Sequence, residues 1–102
     1  MPRTKPAYAD YVNHMLRYYC RDPCGTEPTR PVDALNWKAC ERALNGLTPD
    51  EQAVIRALYR TDEYDMRYAV ATYCALNGAD ETGTWRLVRN VCRDVAKERG
   101  LI

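Results

Sequence analysis

Along the C-terminal stretch "TGTWRLVRNVCRDVAKERGLI", Thr82, Arg86, Arg89, Asn90, Arg93 and Lys97 recur at three- and four-residue intervals. At ~100° per residue, that spacing gathers all six within about 100° of one helix face. No acid falls inside the arc; Asp94 and Glu98 flank it. The opposite side carries Trp85, Val88, Val91, Cys92, Val95 and Ala96, with Leu87 at its edge. An arginine fork matches guanine, an asparagine amide matches adenine, and Lys or Arg neutralises phosphate. The chemistry these residues can do is recognition of a polyanion rather than bond making.

Other candidates for chemistry are sparse. His14 is the single histidine, and the chain has no serine, so the nucleophile-and-base pairing of acyl transfer has no obvious members. Asp62 to Asp65, "DEYD", lacks the ligand spacing of a calcium loop and falls at a helix start, where acids are favoured in any case. The five cysteines stand at positions 20, 24, 40, 74 and 92. The pair in "CRDPC" has a three-residue spacer and no second close Cys/His pair, which does not supply a four-ligand zinc site. Cys40, Cys74 and Cys92 sit among apolar residues at helical spacing and read as small buried hydrophobes. The expectation is a protein that is not an enzyme, with no catalytic residue, no metal ligand and no cofactor.

The elements that position the basic face are helical throughout, because every long segment shows 3.6-residue periodicity and none alternates with period two. The first helix is expected from about Ala7 to Cys20, with Tyr8, Tyr11, Val12, Met15, Leu16 and Tyr19 as its apolar stripe. Prolines and a glycine in "RDPCGTEPTRP" then impose a loop over residues 21–30. A second helix runs from about Pro31 to Asn45, with Leu35, Trp37, Cys40, Ala43 and Leu44 inward. The third begins with the clearest start signal in the chain, "LTPDEQAVIRALYR". Thr48 is its N-cap, Pro49 its first residue, Glu51 the partner in a capping box, and Val54, Ala57 and Leu58 point inward. The fourth carries Met66, Ala69, Val70, Tyr73 and Cys74 and closes on Gly78. Asp80 caps a fifth helix, from about Glu81 to Arg99, that ends at Gly100. Only Gly78 to Asp80 separate the last two helices, which forces a sharp angle of the helix-turn-helix kind. Gly83, in the first turn of the last helix, weakens it by roughly 1 kcal/mol relative to alanine.

The 102 residues suit one helical domain, with residues 1–46 as a helical pair and residues 47–102 as the helix-turn-helix module. The net charge of +1 conceals an uneven distribution of +2 over residues 1–47, −4 over 48–81 and +3 over 82–102. No apolar run approaches the roughly 18 residues of a membrane span, and no apolar stretch follows the basic N-terminus as in a signal peptide. A cytoplasmic protein without membrane contact is the expectation.

Three stretches, "YVNHMLRYYCRDP", "NWKACERALNGLTPDEQAVIRALY" and "TWRLVRNVCRDVAKERGLI", resemble the small sigma region 4-like helix-turn-helix proteins of phages and prophages of Firmicutes, such as the ArpU-type transcriptional regulators. The resemblance covers nearly the whole chain. It implies an all-α fold of about five helices with a sigma region 4-like helix-turn-helix at the C-terminus. It also implies a DNA-binding transcriptional regulator whose last helix, about 81–99, enters the major groove of double-stranded DNA. Thr82, Arg86 and Arg89 would then meet the DNA, with Trp85 packing behind. The tyrosines of the first helix, Tyr8, Tyr11, Tyr18 and Tyr19, exceed the needs of one packing stripe. They offer a surface to RNA polymerase or to a homodimer partner. The alternative is a helical protein-interaction module whose basic face binds an acidic partner without binding DNA.

Overall fold

A computed structural model of the chain describes residues 6–21, 27–61 and 65–102. It contains α1 (Ala9–Arg21), α2 (Pro31–Asn45), α3 (Pro49–Arg60), α4 (Met66–Asn77) and α5 (Glu81–Arg99). The fold class is all-α, with no strand among the described residues. Local signals set most of the boundaries. Thr48 Oγ1 accepts a hydrogen bond from the Glu51 backbone N–H at 3.2 Å, while Glu51 Oε1 accepts one from the Thr48 N–H at 3.0 Å. That reciprocal box satisfies two of the four backbone donors that a helix start leaves without partners. Proline occupies the first position of both α2 and α3, where its missing N–H costs nothing. α1 starts two residues later than its apolar pattern suggests. The Ala9 N–H is turned back onto the Pro6 carbonyl, so Ala7 and Tyr8 form a turn instead of a helical one.

One core spans all five helices, with Val12, Leu16, Cys40, Leu44, Ile55, Leu58, Tyr59, Val70, Val91 and Val95 essentially sealed from solvent. α5 packs most extensively against α2, and α1 against α3. The N-terminal pair and the C-terminal module therefore interleave. Polar ties reinforce the α2–α5 and α1–α2 contacts. Arg99 Nε donates to Asn36 Oδ1 at 2.6 Å, Asn36 Nδ2 donates to the Tyr11 hydroxyl at 3.1 Å, and Arg42 pairs with Glu98 at 3.6 Å.

The inward faces differ from the periodicity reading at named places. Leu35 is 53% exposed, and Ala39, about one turn further along the helix, is buried in its stead. Ala57 is exposed and Val54 only half-buried, whereas Ile55, Leu58 and Tyr59 are buried. α3 lies against both α1 and α4, and that pair of neighbours rotates its buried face by about one residue, or ~100°. Tyr11 is exposed, its hydroxyl engaged at Asn36. Arg17 is 7% exposed, a burial that its charge did not announce. Tyr18 stays exposed, while Tyr19 packs its ring on Trp37 with centroids 5.5 Å apart and carries the Arg56 guanidinium over its ring, 5.4 Å from the centroid.

Candidate nucleic-acid interface

The connection that aims α5 is held by side chains as well as by backbone. Gly78 adopts the left-handed conformation, φ 64° and ψ 28°, which glycine enters without the steric penalty a Cβ brings. The N–H groups of Gly78 and Ala79 both return to the Cys74 carbonyl, closing α4. Asp80 then caps α5, its Oδ2 accepting from the Gly83 N–H at 2.8 Å. A side chain at position 83 would place its Cβ 3.2 Å from that same carboxylate oxygen, so glycine in the first turn makes room for the cap. Thr84 is buried and bridges the two helices: its hydroxyl donates to the Asp80 carbonyl at 2.8 Å and accepts from the Cys74 thiol at 3.4 Å. The turn between α4 and α5 is thus tied by side chain as well as backbone.

Thr82, Arg86, Arg89, Asn90, Arg93 and Lys97 are all exposed on α5. Val88, Val91, Cys92, Val95 and Ala96 are buried beneath them, Trp85 and Leu87 half-buried at the margins. Among the described residues Arg86, Arg89 and Lys97 make no ion pair, and Arg93 bonds only the neutral Asn90 Oδ1, at 3.3 Å. Neither flanking acid pairs with this stripe among the described residues: Glu98 turns toward Arg42 of α2, and Asp94 forms no ion pair with the strip. The result is an unbroken cationic strip from Arg86 to Lys97 on a helix ~28 Å long.

One edge of the strip borders a groove between α1, α4 and α5, about 920 Å³ in volume, in which Arg89, Asn90 and Arg93 take part with Trp85. Its other walls bring Tyr8, Asn13 and Arg17 from α1 and its approach, and Met66 and Arg67 from α4. No single-helix pattern marks these residues, because the groove exists only where three helices meet. Thr82, Arg86 and Lys97 lie outside it.

The described cysteines occupy the interior. Cys20, Cys40, Cys74 and Cys92 are buried. Burial pushes the Cys40 thiol up to about 12 and the Cys20 thiol up to about 11, and Cys92 is likewise raised. Protonated thiols at neutral pH are poor nucleophiles and poor metal ligands. Cys24, the second member of "CRDPC", and residues 62–64 of "DEYD" lie outside the described residues. His14 is an exposed helix residue, and no cluster of three His, Cys, Asp or Glu able to hold a metal forms among the described residues. No helix among them is long and apolar enough to cross a membrane.

Comparison of the chain with protein-family models, with curated proteins and with solved structures finds no match.

Proposed function

We propose that the protein acts by binding rather than by catalysis, as a DNA-binding regulator of transcription. In this reading α5 lies in the major groove of duplex DNA, and α4 crosses the backbone beside it. The observation that carries it is the uncompensated strip of Thr82, Arg86, Arg89, Asn90, Arg93 and Lys97, all exposed on the helix that follows a three-residue, side-chain-stitched turn. Arg86, Thr82 and Asn90, toward the helix N-terminus, would meet base edges, and Arg89, Arg93 and Lys97 would hold phosphates. The resemblance to sigma region 4-like phage regulators supports the same reading. Tyr11 and Tyr18 of α1 remain exposed and would serve a protein partner, RNA polymerase or a second copy.

Reversal of Arg86, Arg89 and Arg93 together to Glu tests the proposal. The triple variant is expected to keep its helical circular dichroism and its melting cooperativity, because the three side chains are exposed, and to lose retention on duplex DNA. Wild-type protein that shows no affinity for duplex DNA at low salt sinks the reading. So does a salt-insensitive affinity.

A further inference from the structure

We propose that the groove between α1, α4 and α5 is a binding site for a free nucleotide, a phosphorylated nucleoside with its ring in the groove and its phosphate on the α5 lip. The volume of about 920 Å³ is in the range of small-molecule clefts, which combine apolar walls with a few convergent polar groups. Both kinds of group are present. Trp85 is half-buried on α5 and borders the groove with Tyr8, also half-buried, from the approach to α1, and Met66 adds an apolar wall from α4. Aromatic faces of this sort stack any nucleobase, since every base has a π-face.

The charges decide where the phosphate goes. Arg67 is already engaged by Asp65, with Nε to Oδ1 at 3.1 Å and Nη2 to Oδ2 at 2.7 Å, so that pair is internally neutralised. Asp10 borders the groove on the α1 side, where a carboxylate disfavours a second anion. On the α5 side Arg89 has no hydrogen-bond or ion-pair partner among the described residues, and Arg93 has only the carbonyl of Asn90. Spaced by four residues on one helix, these two guanidinium groups are neighbours, and each offers the fork that matches phosphate oxygens.

A buried network prepares the remaining donor. Asn13 Oδ1 accepts from the Tyr59 hydroxyl at 2.6 Å and from the Cys92 thiol at 3.6 Å. Tyr59 is completely buried, so the Asn13 amide is held from below with its oxygen occupied. Its N–H groups are what it can give to a ligand, and the ring nitrogens and carbonyls of a nucleobase are acceptors for them. Cation, ring and oriented amide thus converge from two helices on one cleft, the combination that a phosphate ester joined to a planar heterocycle requires.

The site does not rest on the duplex-DNA reading. Tyr8 and Asn13 lie off the basic strip, whereas Arg86 and Lys97 lie on the strip but outside the groove. The test is isothermal titration of the full chain with AMP and GMP, with adenosine and inorganic phosphate as half-ligands and a single-stranded oligothymidylate as the strand control. At least one of the two monophosphates is expected to bind at least tenfold more tightly than either adenosine or inorganic phosphate. Tyr8→Ala and the pair Arg89→Gln, Arg93→Gln are each expected to weaken it by about tenfold or more, in line with stacking and paired phosphate contacts. Tyr8→Phe, which keeps the ring, should retain binding and controls for folding. The pair Arg86→Gln, Lys97→Gln, which removes two strip cations without placing a carboxylate beside Arg89 or Arg93, should bind nucleotide like wild type even if DNA binding is lost. Binding of neither monophosphate, equal binding of inorganic phosphate, wild-type affinity in Tyr8→Ala, or binding of the oligothymidylate alone would each overturn the proposal.

Discussion

Replacing the strip's cations one at a time by alanine asks how many of them sit on phosphates. For B-DNA the logarithm of the association constant falls with the logarithm of salt concentration by about 0.9 per phosphate neutralised. Four cations, Arg86, Arg89, Arg93 and Lys97, are exposed on α5. With all four on phosphates the slope is about −3.6, which weakens binding by about 150-fold between about 50 and 200 mM salt. With Arg86 on a base edge and three cations on phosphates, the slope is about −2.7 and the loss about 40-fold over the same range. Arg89→Ala, Arg93→Ala and Lys97→Ala should each make the slope shallower by about 0.9. Arg86→Ala should instead leave the slope near the wild-type value and cost about 1–3 kcal/mol on a preferred site over a scrambled one. Fluorescence anisotropy on labelled duplexes across a salt series reads both quantities. Since all four side chains are exposed, thermal stability should stay within about 0.5 kcal/mol of wild type. Slopes that are unchanged in Arg89→Ala, Arg93→Ala and Lys97→Ala would refute the assignment of those residues to phosphates. A loss of binding that tracks a lowered melting temperature would refute it too.

Three further outcomes concern the scaffold. Asp80→Ala removes the acceptor of the Gly83 N–H and should cost about 1 kcal/mol, read by urea denaturation. Gly83→Ala should give little in the wild type, where the new Cβ stands 3.2 Å from the cap carboxylate. In an Asp80→Ala background it should recover about 1 kcal/mol of helix propensity, and equal effects in the two backgrounds would show that the cap does not crowd position 83. Tyr59→Phe keeps the buried ring and deletes the hydroxyl that holds Asn13 at 2.6 Å. It should cost about 1–2 kcal/mol, with the melting temperature falling by roughly 4–8 °C for each kcal/mol lost. Alkaline pH should destabilise the fold through Cys20 and Cys40, whose thiols are raised by burial from 9.0 to about 11 and about 12. Between pH 9 and 11 the unfolded chain has lost protons that the folded chain keeps, so stability falls as pH rises, by about 1 kcal/mol per pH unit for each thiol. This contribution is fully present below pH 9. Cys40→Ala should flatten the dependence measured by urea denaturation at successive pH values, and an unaltered dependence would count against the assignment.

The sequence by itself determined the features governed by neighbours in the chain. Thr48, Pro49 and Glu51 announce the start of α3, Gly78 and Asp80 punctuate the α4–α5 turn, and Gly100 ends α5, because capping and left-handed turns are satisfied within a few residues. The same holds for α5 as an amphipathic element: the six strip residues emerge exposed over Val88, Val91, Cys92 and Val95, since one dominant apolar face leaves the opposite face to solvent. Tertiary structure alone decided which of two adjacent apolar stripes on α2 and α3 turns inward. α3 buries Ile55, Leu58 and Tyr59 rather than Ala57, and α2 leaves Leu35 outside, because the position of a second neighbour, not periodicity, selects among adjacent apolar stripes. It alone decided the burial of Arg17 and Thr84, and it alone joined Asn13 to Tyr59 across 46 residues and to Cys92 across 79. The groove between α1, α4 and α5 belongs to the same class, since its walls come from segments that no local window contains together, and only the packing of three helices brings their rings, amides and guanidinium groups to one cleft.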